Sequence, residues 1–461
     1  MTYDLIVIGG GPAGYCGAIR ASQCGLKVAL FEKDKVGGTC LNRGCVPTKA
    51  LLNYASKYEE LFRLGDIGIS LSEPSFDFSA MHRKKAGVVS TLRDGVERLL
   101  KANGVELIFG EARIASANSV LCGGEEYSAK HILIASGSVP ASPPISGREL
   151  ALSSDDILEG SDRFYNSLAI IGGGVIGVEV ASVFRSLGSE VHIFEAMDRI
   201  IPMMDRELSQ SLAMALKKKG VAVHVGASAA SIEKGERYVV NYTEKGVQHS
   251  LCTDGVLICT GRRPYIDGLF DSNFALEMNG RAIAVDEKYR TSVKNIYAVG
   301  DVNGLHQLAH AAEAQALAAV ADIIGEAPAI DPRLVPSCIY TDPEIASAGL
   351  TADEAKQRGI AVRTGKYVMS SNSKTIIEGK DRSFIKLLFD ENTDRILGAQ
   401  LFCAHATDMI SELTQAIANG LTSRELLKGL RPHPTFVEGI TEAIEASHGQ
   451  SIHSMPSRRN I

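Results

Sequence analysis

Two stretches of the chain repeat one pattern of apolar and small residues. The first opens with the unbroken apolar run Leu5-Ile6-Val7-Ile8 and continues through Gly9-Gly10-Gly11-Pro12-Ala13-Gly14 into a helix-like segment. It closes with Val28-Ala29-Leu30-Phe31 and then Glu32. The second runs Leu168-Ala169-Ile170-Ile171, Gly172-Gly173-Gly174-Val175-Ile176-Gly177, a helical segment through Leu187, then Val191-His192-Ile193-Phe194-Glu195. Short apolar runs without alternation predict strands buried on both faces, and run, glycines, helix, run predicts a parallel βαβ unit. Residues 50–105 are polar and helical, and the Pro- and Ser-rich residues 139–144 mark a boundary. Helix and strands follow Glu195 up to a second break at Thr260-Gly261-Arg262-Arg263-Pro264. Residues 295–299 read as a buried strand ending in a Gly300-Asp301 turn. Beyond about residue 333 the pattern changes to a strand at 384–389 and amphipathic helices at 407–419 and 423–430, which suggests a separate α+β domain.

Length and composition narrow the picture. At 461 residues, two or three domains are expected, and 45 glycines suit an α/β architecture with many tight turns. The division predicted is a first nucleotide domain over 1–145, resumed as a central segment over 266–333. A second nucleotide domain covers 146–265 and the α+β domain 334–461. A net charge of −6 and the lack of a basic stripe argue against nucleic acid as a partner. Lys217-Lys218-Lys219 before Gly220 reads as a solvated helix end. The longest apolar candidate, 170–184, contains Glu179 and several glycines, so no membrane span is predicted. A strand this close to Met1, with no basic leader ahead of an apolar run, suggests no secretory signal and a cytoplasmic location.

The glycine motifs carry chemistry. Gly9 and Gly172 permit a tight turn, Gly11 and Gly174 let backbone approach a pyrophosphate, and Gly14 and Gly177 allow helix to pack on strand. Glu32 and Glu195 sit where a carboxylate accepts from ribose hydroxyls. Glu195 would also repel a 2′-phosphate, favouring NAD over NADP. Two complete copies imply two different dinucleotides, or one cofactor and one co-substrate.

Cys40 and Cys45 follow the first motif closely, in Gly37-Gly38-Thr39-Cys40-Leu41-Asn42-Arg43-Gly44-Cys45-Val46-Pro47-Thr48-Lys49. Residues five apart on a regular helix are displaced by about 7.5 Å along its axis, beyond easy disulfide reach. A bond between them therefore needs a distorted turn, for which Gly44 supplies freedom. Arg43, Lys49 and a helix N-terminus would favour a thiolate. Two free core thiols remain an alternative; a metal site lacks a second cysteine or histidine cluster. The other seven cysteines, Cys16, Cys24, Cys122, Cys252, Cys259, Cys338 and Cys403, read as small core residues.

The stretch from Gly37 to Lys49 resembles the redox-active signature of the FAD-dependent pyridine nucleotide–disulfide oxidoreductases. The similarity extends to both glycine motifs, the turns Ala135-Ser136-Gly137, Thr260-Gly261-Arg262 and Gly300-Asp301, and His433-Pro434-Thr435-Phe436-Val437-Glu438. It implies two Rossmann-like FAD- and NAD-binding domains and a C-terminal α+β dimerisation domain. FAD is expected at Gly9, Gly11, Gly14, Glu32, Thr39, Lys49, Ala112, Gly137, Asp301 and Ala309, and NAD at Gly172, Gly174, Gly177, Glu179, Glu195 and Gly261. By resemblance Cys45 is the flavin-proximal sulfur and Cys40 the interchange thiol. Lys49 pairs with Glu179, and His433, oriented by Glu438, is the acid–base catalyst reaching the cysteines of the other subunit of a homodimer. Thr435 alone would cap the following helix. Within the family the resemblance points to oxidation of dihydrolipoamide carried by a separate lipoyl-bearing protein, with NAD⁺ as acceptor. Glu195 and Gly177 disfavour an NADPH-driven reductase of glutathione type. The tail Ser451-Ile452-His453-Ser454-Met455-Pro456-Ser457-Arg458-Arg459-Asn460-Ile461 has no cysteine, which disfavours mercuric and large thioredoxin reductases. A flavoprotein with a mainly structural role is the alternative of another class. The chain departs from the family at Arg431, where many members have histidine, and at Ser136, where threonine is common.

Overall fold

The computed structural model describes residues 2–160, 162–380 and 383–455, so the last six residues of the tail lie outside the described part. The chain forms two compact units, each built from two stretches: Met1–Tyr165 with Leu257–Pro332, and Asn166–Val256 with Arg333–Ile461.

In the first unit, β1 (Thr2–Ile8), α1 (Pro12–Gln23) and β2 (Val28–Glu32) form the first βαβ unit, with β1 and β2 parallel. The redox stretch follows as α2 (Gly38–Arg43) and α3 (Cys45–Leu61), then the long α4 (Phe78–Ala102). Strands β3 (Glu106–Phe109), β4 (Arg113–Ser116), β5 (Ser119–Cys122) and β6 (Glu125–Ile134) complete a sheet in the order β3-β2-β1-β6-β5-β4. The apolar runs are as buried as the lack of alternation predicts: Leu5, Ile6, Val7 and Leu30 are fully enclosed.

The second unit opens with β7 (Ser167–Ile171), α5 (Val175–Ser186) and β8 (Glu190–Glu195), followed by α6 (Arg206–Lys218) and β9 (Ala222–Val225). Strands β7, β8 and β9 pair in parallel. The lysine run closes α6, and Gly220 adopts φ +88° just beyond it. The chain then returns to the first unit, where β10 (Ile296–Ala298) pairs in parallel with β6 and α7 (Ala309–Ile324) packs on α1.

The rest of the second unit is α+β. Strands β11 (Ser337–Ile339), β12 (Glu344–Gly349), β13 (Val362–Val368), β14 (Phe384–Asp390) and β15 (Ile396–Cys403) form an antiparallel sheet in the order β11-β12-β15-β14-β13. Against it pack α8 (Ala406–Ala418) and α10 (Glu438–Ser447), with the short α9 (Ser423–Leu426) between them in sequence. The helix expected over 423–430 stops after one turn. Its capping box, Thr422 with Glu425, starts it, but Gly429 follows and Leu430 is fully exposed, so no apolar contact extends it.

Candidate active site

The two glycine loops share one geometry. Gly9 and Gly172 take φ of +101° and +117°, and Gly11 and Gly174 cap α1 and α5 in extended conformations with no side-chain cap. Space is as restrictive as conformation: a Cβ on Gly14 would lie 1.8 Å from the Gly9 carbonyl oxygen. Each loop is clasped by the acid at the end of the next strand. The Gly10 and Asp34 amides donate to the two carboxylate oxygens of Glu32 (both 2.7 Å), and the Gly173 and Met197 amides donate to those of Glu195 (both 2.8 Å). The uncapped first-turn amides of α1 and α5 leave donors for pyrophosphate oxygens, the requirement a dinucleotide makes of such a loop.

A cavity beside the first loop is lined by Gly9, Phe31, Glu32, Gly110, Ala112 and Tyr265, which brings Ala112 together with Gly9 and Glu32. Gly137 takes φ +72°, and the next residue, Ser138, donates through Oγ to Oδ2 of Asp301 (2.5 Å). Burial pushes the Asp301 carboxyl upward, against the pull of the Ser138 bond and the Arg262 charge. Ala309 begins α7, Lys49 lies on α3 one turn after Cys45, and Gly177 and Glu179 are buried on α5. One Glu179 carboxylate oxygen accepts from the Tyr340 amide (3.0 Å). Gly261 (φ +124°) belongs to the first unit, whereas Gly172, Gly174, Gly177, Glu179 and Glu195 belong to the second.

Cys40 and Cys45 form a disulfide with Cα atoms 4.7 Å apart. The regular-helix separation is avoided because α2 ends at Arg43 and α3 restarts at Cys45, with Gly44 breaking the path between them. A side chain at Gly44 would meet the Thr39 carbonyl oxygen at 2.9 Å. The dithiol is anchored to the nucleotide loop: the Gly37 amide donates to the Gly10 carbonyl (2.7 Å), and a Cβ on Gly38 would sit 2.6 Å from Gly11 Cα.

Arg43, expected to favour a thiolate, is already engaged by two carboxylates. Its guanidinium pairs with Asp34 and with Glu159 (3.1 Å). Burial opposes its charge, but these partners outweigh burial and raise its pKa. Sequence reasoning missed a neighbouring network. Arg262 donates to Thr39 Oγ1 (3.3 Å), Ser138 Oγ (2.9 Å) and Asp155 Oδ1 (3.3 Å), linking the residue before Cys40 to the partner of Asp301. Its place in the Thr260-Gly261-Arg262 turn was the available signal.

His433 and Glu438 meet in the second unit, His433 Nδ1 lying 2.8 Å from Glu438 Oε1. The His433 side chain is 68% exposed, which leaves the far edge of the ring open. Glu438 also accepts from the Thr435 amide through Oε2 (2.7 Å). The expectation that Thr435 alone retains the cap is therefore corrected. Its hydroxyl donates to the Pro432 carbonyl (2.7 Å), and Val437 caps α10 without a side-chain bond. One carboxylate both orients the histidine and holds the turn, one oxygen serving each.

The seven other cysteines do not all belong to cores. Cys122, Cys259 and Cys403 are buried, Cys16 and Cys338 partly so, but Cys24 and Cys252 are exposed. Cys24 caps the end of α1, and Cys252 lies on the strand Val247–Thr253, whose residues are mostly solvent-facing. Among the described residues, no group of three or more His, Cys, Asp or Glu could hold a metal ion, and no helix is long and apolar enough to cross a membrane.

Residues 3–316 match the family described as pyridine nucleotide-disulphide oxidoreductase. The chain belongs to that family. Residues 335–444 match the family's dimerisation domain, which assigns the antiparallel sheet and its helices to dimer formation. Similar relatives include a dihydrolipoyl dehydrogenase of Bacillus subtilis (strain 168), 37% identical over 98% of this chain and 99% of its own length. Another, of Thermus scotoductus, is 38% identical with the same coverage. Among solved structures, the HOCl-induced flavoprotein disulfide reductase RclA from Escherichia coli superposes with a TM-score of 0.85. It is 28% identical, with 96% of this chain and 99% of that chain covered. LpdA from Mycobacterium tuberculosis gives 0.88 at 25% identity, with the same coverage.

Proposed function

We propose that this chain is a dihydrolipoyl dehydrogenase, a cytoplasmic homodimer that oxidises the dihydrolipoamide of a separate lipoyl-bearing protein with NAD⁺ as acceptor. The observation that carries the proposal is the Cys40–Cys45 disulfide anchored through the Gly37 amide to the phosphate loop of a dinucleotide unit. A dithiol so placed exchanges two electrons with a bound dinucleotide rather than bracing a core. The relatives named for this activity, alike over nearly their whole lengths, support the choice of substrate.

In the reaction, one thiol of dihydrolipoamide loses its proton to the open ring nitrogen of His433, and Glu438 stabilises the charge that forms on the ring. The thiolate attacks Cys40 Sγ, the Cys40–Cys45 bond breaks, and Cys45 leaves as a thiolate. The second substrate thiol then attacks the substrate sulfur of the mixed disulfide and closes lipoamide, while Cys40 leaves and takes up that thiol's proton, so the pair ends as a Cys40 thiol and a Cys45 thiolate. Gly9, Gly11, Gly14, Glu32, Ala112 and Asp301 would hold FAD, which would supply the two-electron chemistry between this dithiol and NAD⁺ when bound. Glu32 and Glu195 hold the loops in place and offer ribose acceptors, and Glu195 discriminates against a 2′-phosphate.

Steady-state turnover of dihydrolipoamide with NAD⁺, compared with glutathione disulfide and NADPH, tests the assignment. Faster turnover of the second pair would refute it.

A further inference from the structure

His433 stands in the segment between α9 and α10, which contains no helix or strand and exposes Leu430 completely. Something must keep such a segment in one place if the imidazole is to meet a thiol in a defined geometry. Two clasps do so. His433 reaches Glu438 at the first residue of α10. Two positions earlier, Arg431 Nη1 donates to Thr441 Oγ1 (2.9 Å) in the same helix. Glu438 and Thr441 are three residues apart and so share a helix face. The segment is thus registered on α10 at two points, and a slip of one residue would break both. The second guanidinium nitrogen of Arg431 pairs with Glu412 on α8, tying the register to a neighbouring helix of the same core.

The Arg431 side chain is only 6% exposed, and its Nε is buried without a hydrogen-bond partner. A buried donor left unpaired opposes folding, so stability alone does not account for an arginine here. We infer that Arg431 is a positioning residue: by docking on Thr441 and Glu412 it holds the His433 segment in register with Glu438, and so sets the imidazole for proton transfer from the substrate dithiol. The inference rests on the proposed role of His433. An arginine suits the task because its planar fork serves two acceptors on different helices at once, which an imidazole or an ammonium does not do in a fixed plane.

The test uses the FAD-loaded enzyme and two activities. Dithiol turnover needs His433, whereas NADH oxidation by a quinone does not. Arg431→Met keeps the apolar stem and removes the fork, and Thr441→Val removes one acceptor with little change of shape. Both should lower kcat for dihydrolipoamide, Arg431→Met by up to about 10²-fold, the cost of misplacing a catalytic group by about 1 Å. NADH–quinone activity should stay within about twofold. In a His433→Gln background neither change should add a further loss, because a residue acting through His433 has nothing left to position. A normal dithiol kcat in both single variants, or losses that add to that of His433→Gln, would overturn the inference while leaving His433 as catalyst. An unchanged rate in His433→Gln itself would overturn the proposed mechanism together with the inference. Should Arg431→Met fail to retain FAD, Thr441→Val alone decides between these outcomes.

Discussion

The chemistry of the site turns on charges that are spoken for. Arg43 lies between the two cysteines in sequence, yet its guanidinium faces Asp34 and Glu159, so it contributes little uncompensated field to a thiolate. Removing Glu159 leaves Arg43 paired with Asp34 alone and takes one negative charge from beside the cysteines. The Glu159→Gln enzyme is expected to show a lower pKa for the reduced Cys45 thiol, read from the pH dependence of thiolate absorbance. Cys40→Ser should abolish dihydrolipoamide turnover while NADH–quinone activity persists, and retained lipoamide turnover in that variant would refute the relay. Glu438→Ala removes both the partner of His433 and the acceptor for the Thr435 amide. A loss of about 10²-fold in dithiol turnover is expected, within the usual range for general acid–base catalysis. The meeting of Cys40 with Cys45 and of His433 with Glu438 was expected through the family resemblance, each pair lying five residues apart. The partners of Arg43 and Arg262 were not, since Glu159 and Asp155 are brought in by the tertiary fold from more than a hundred residues away in sequence.

At the level of elements, the glycine positions decide where helices start. Gly38 takes φ +56° and its Cα faces Gly11, so Gly38→Ala meets both an unfavourable backbone and a backbone contact with no flexible neighbour to yield. A destabilisation of about 2 kcal/mol or more is expected, measured as a fall in the thermal midpoint together with loss of bound flavin. In α7, Asp322 gathers Arg290, Lys288 and the Tyr297 hydroxyl. Burial alone would raise its pKa, but these bonds prevail and bring it down to about 2. A carboxylate lowered on folding contributes stability that is complete above its unfolded pKa, near 4, and is lost as pH falls toward 2. Asp322→Asn should therefore narrow the stability difference from the parent protein across that window, as followed by chemical denaturation. The parallel strands were readable from their unbroken apolar runs. The end of α9 was not, because amphipathic spacing over 423–430 cannot reveal that Leu430 has nothing to pack against.

On the scale of the whole molecule, the proposed mechanism combines His433 of one copy with the dithiol of another. Cys40→Ser and His433→Gln homodimers should each be inactive with dihydrolipoamide. Mixed and reassembled, they should regain about a quarter of parental activity, since random pairing of a two-fold dimer makes half the population hybrid with one intact site. No recovery would place both groups in one chain. The repeat of two βαβ units was plain in the sequence. The expected return of the first nucleotide domain at 266 rested on the break near Gly261, and the observed unit resumes at Leu257, because chain continuity hides which residues share a core.

The two solvent-facing thiols offer a different use. Cys24 belongs to the first compact unit and Cys252 to the second, while burial raises the thiols of Cys16 and Cys403 to about 12 and leaves them poor nucleophiles. With the redox pair kept oxidised, a spin label offered to the unmodified protein should attach at these two points. The protein then carries one label on each unit, and titration with NAD⁺ can be read separately at each.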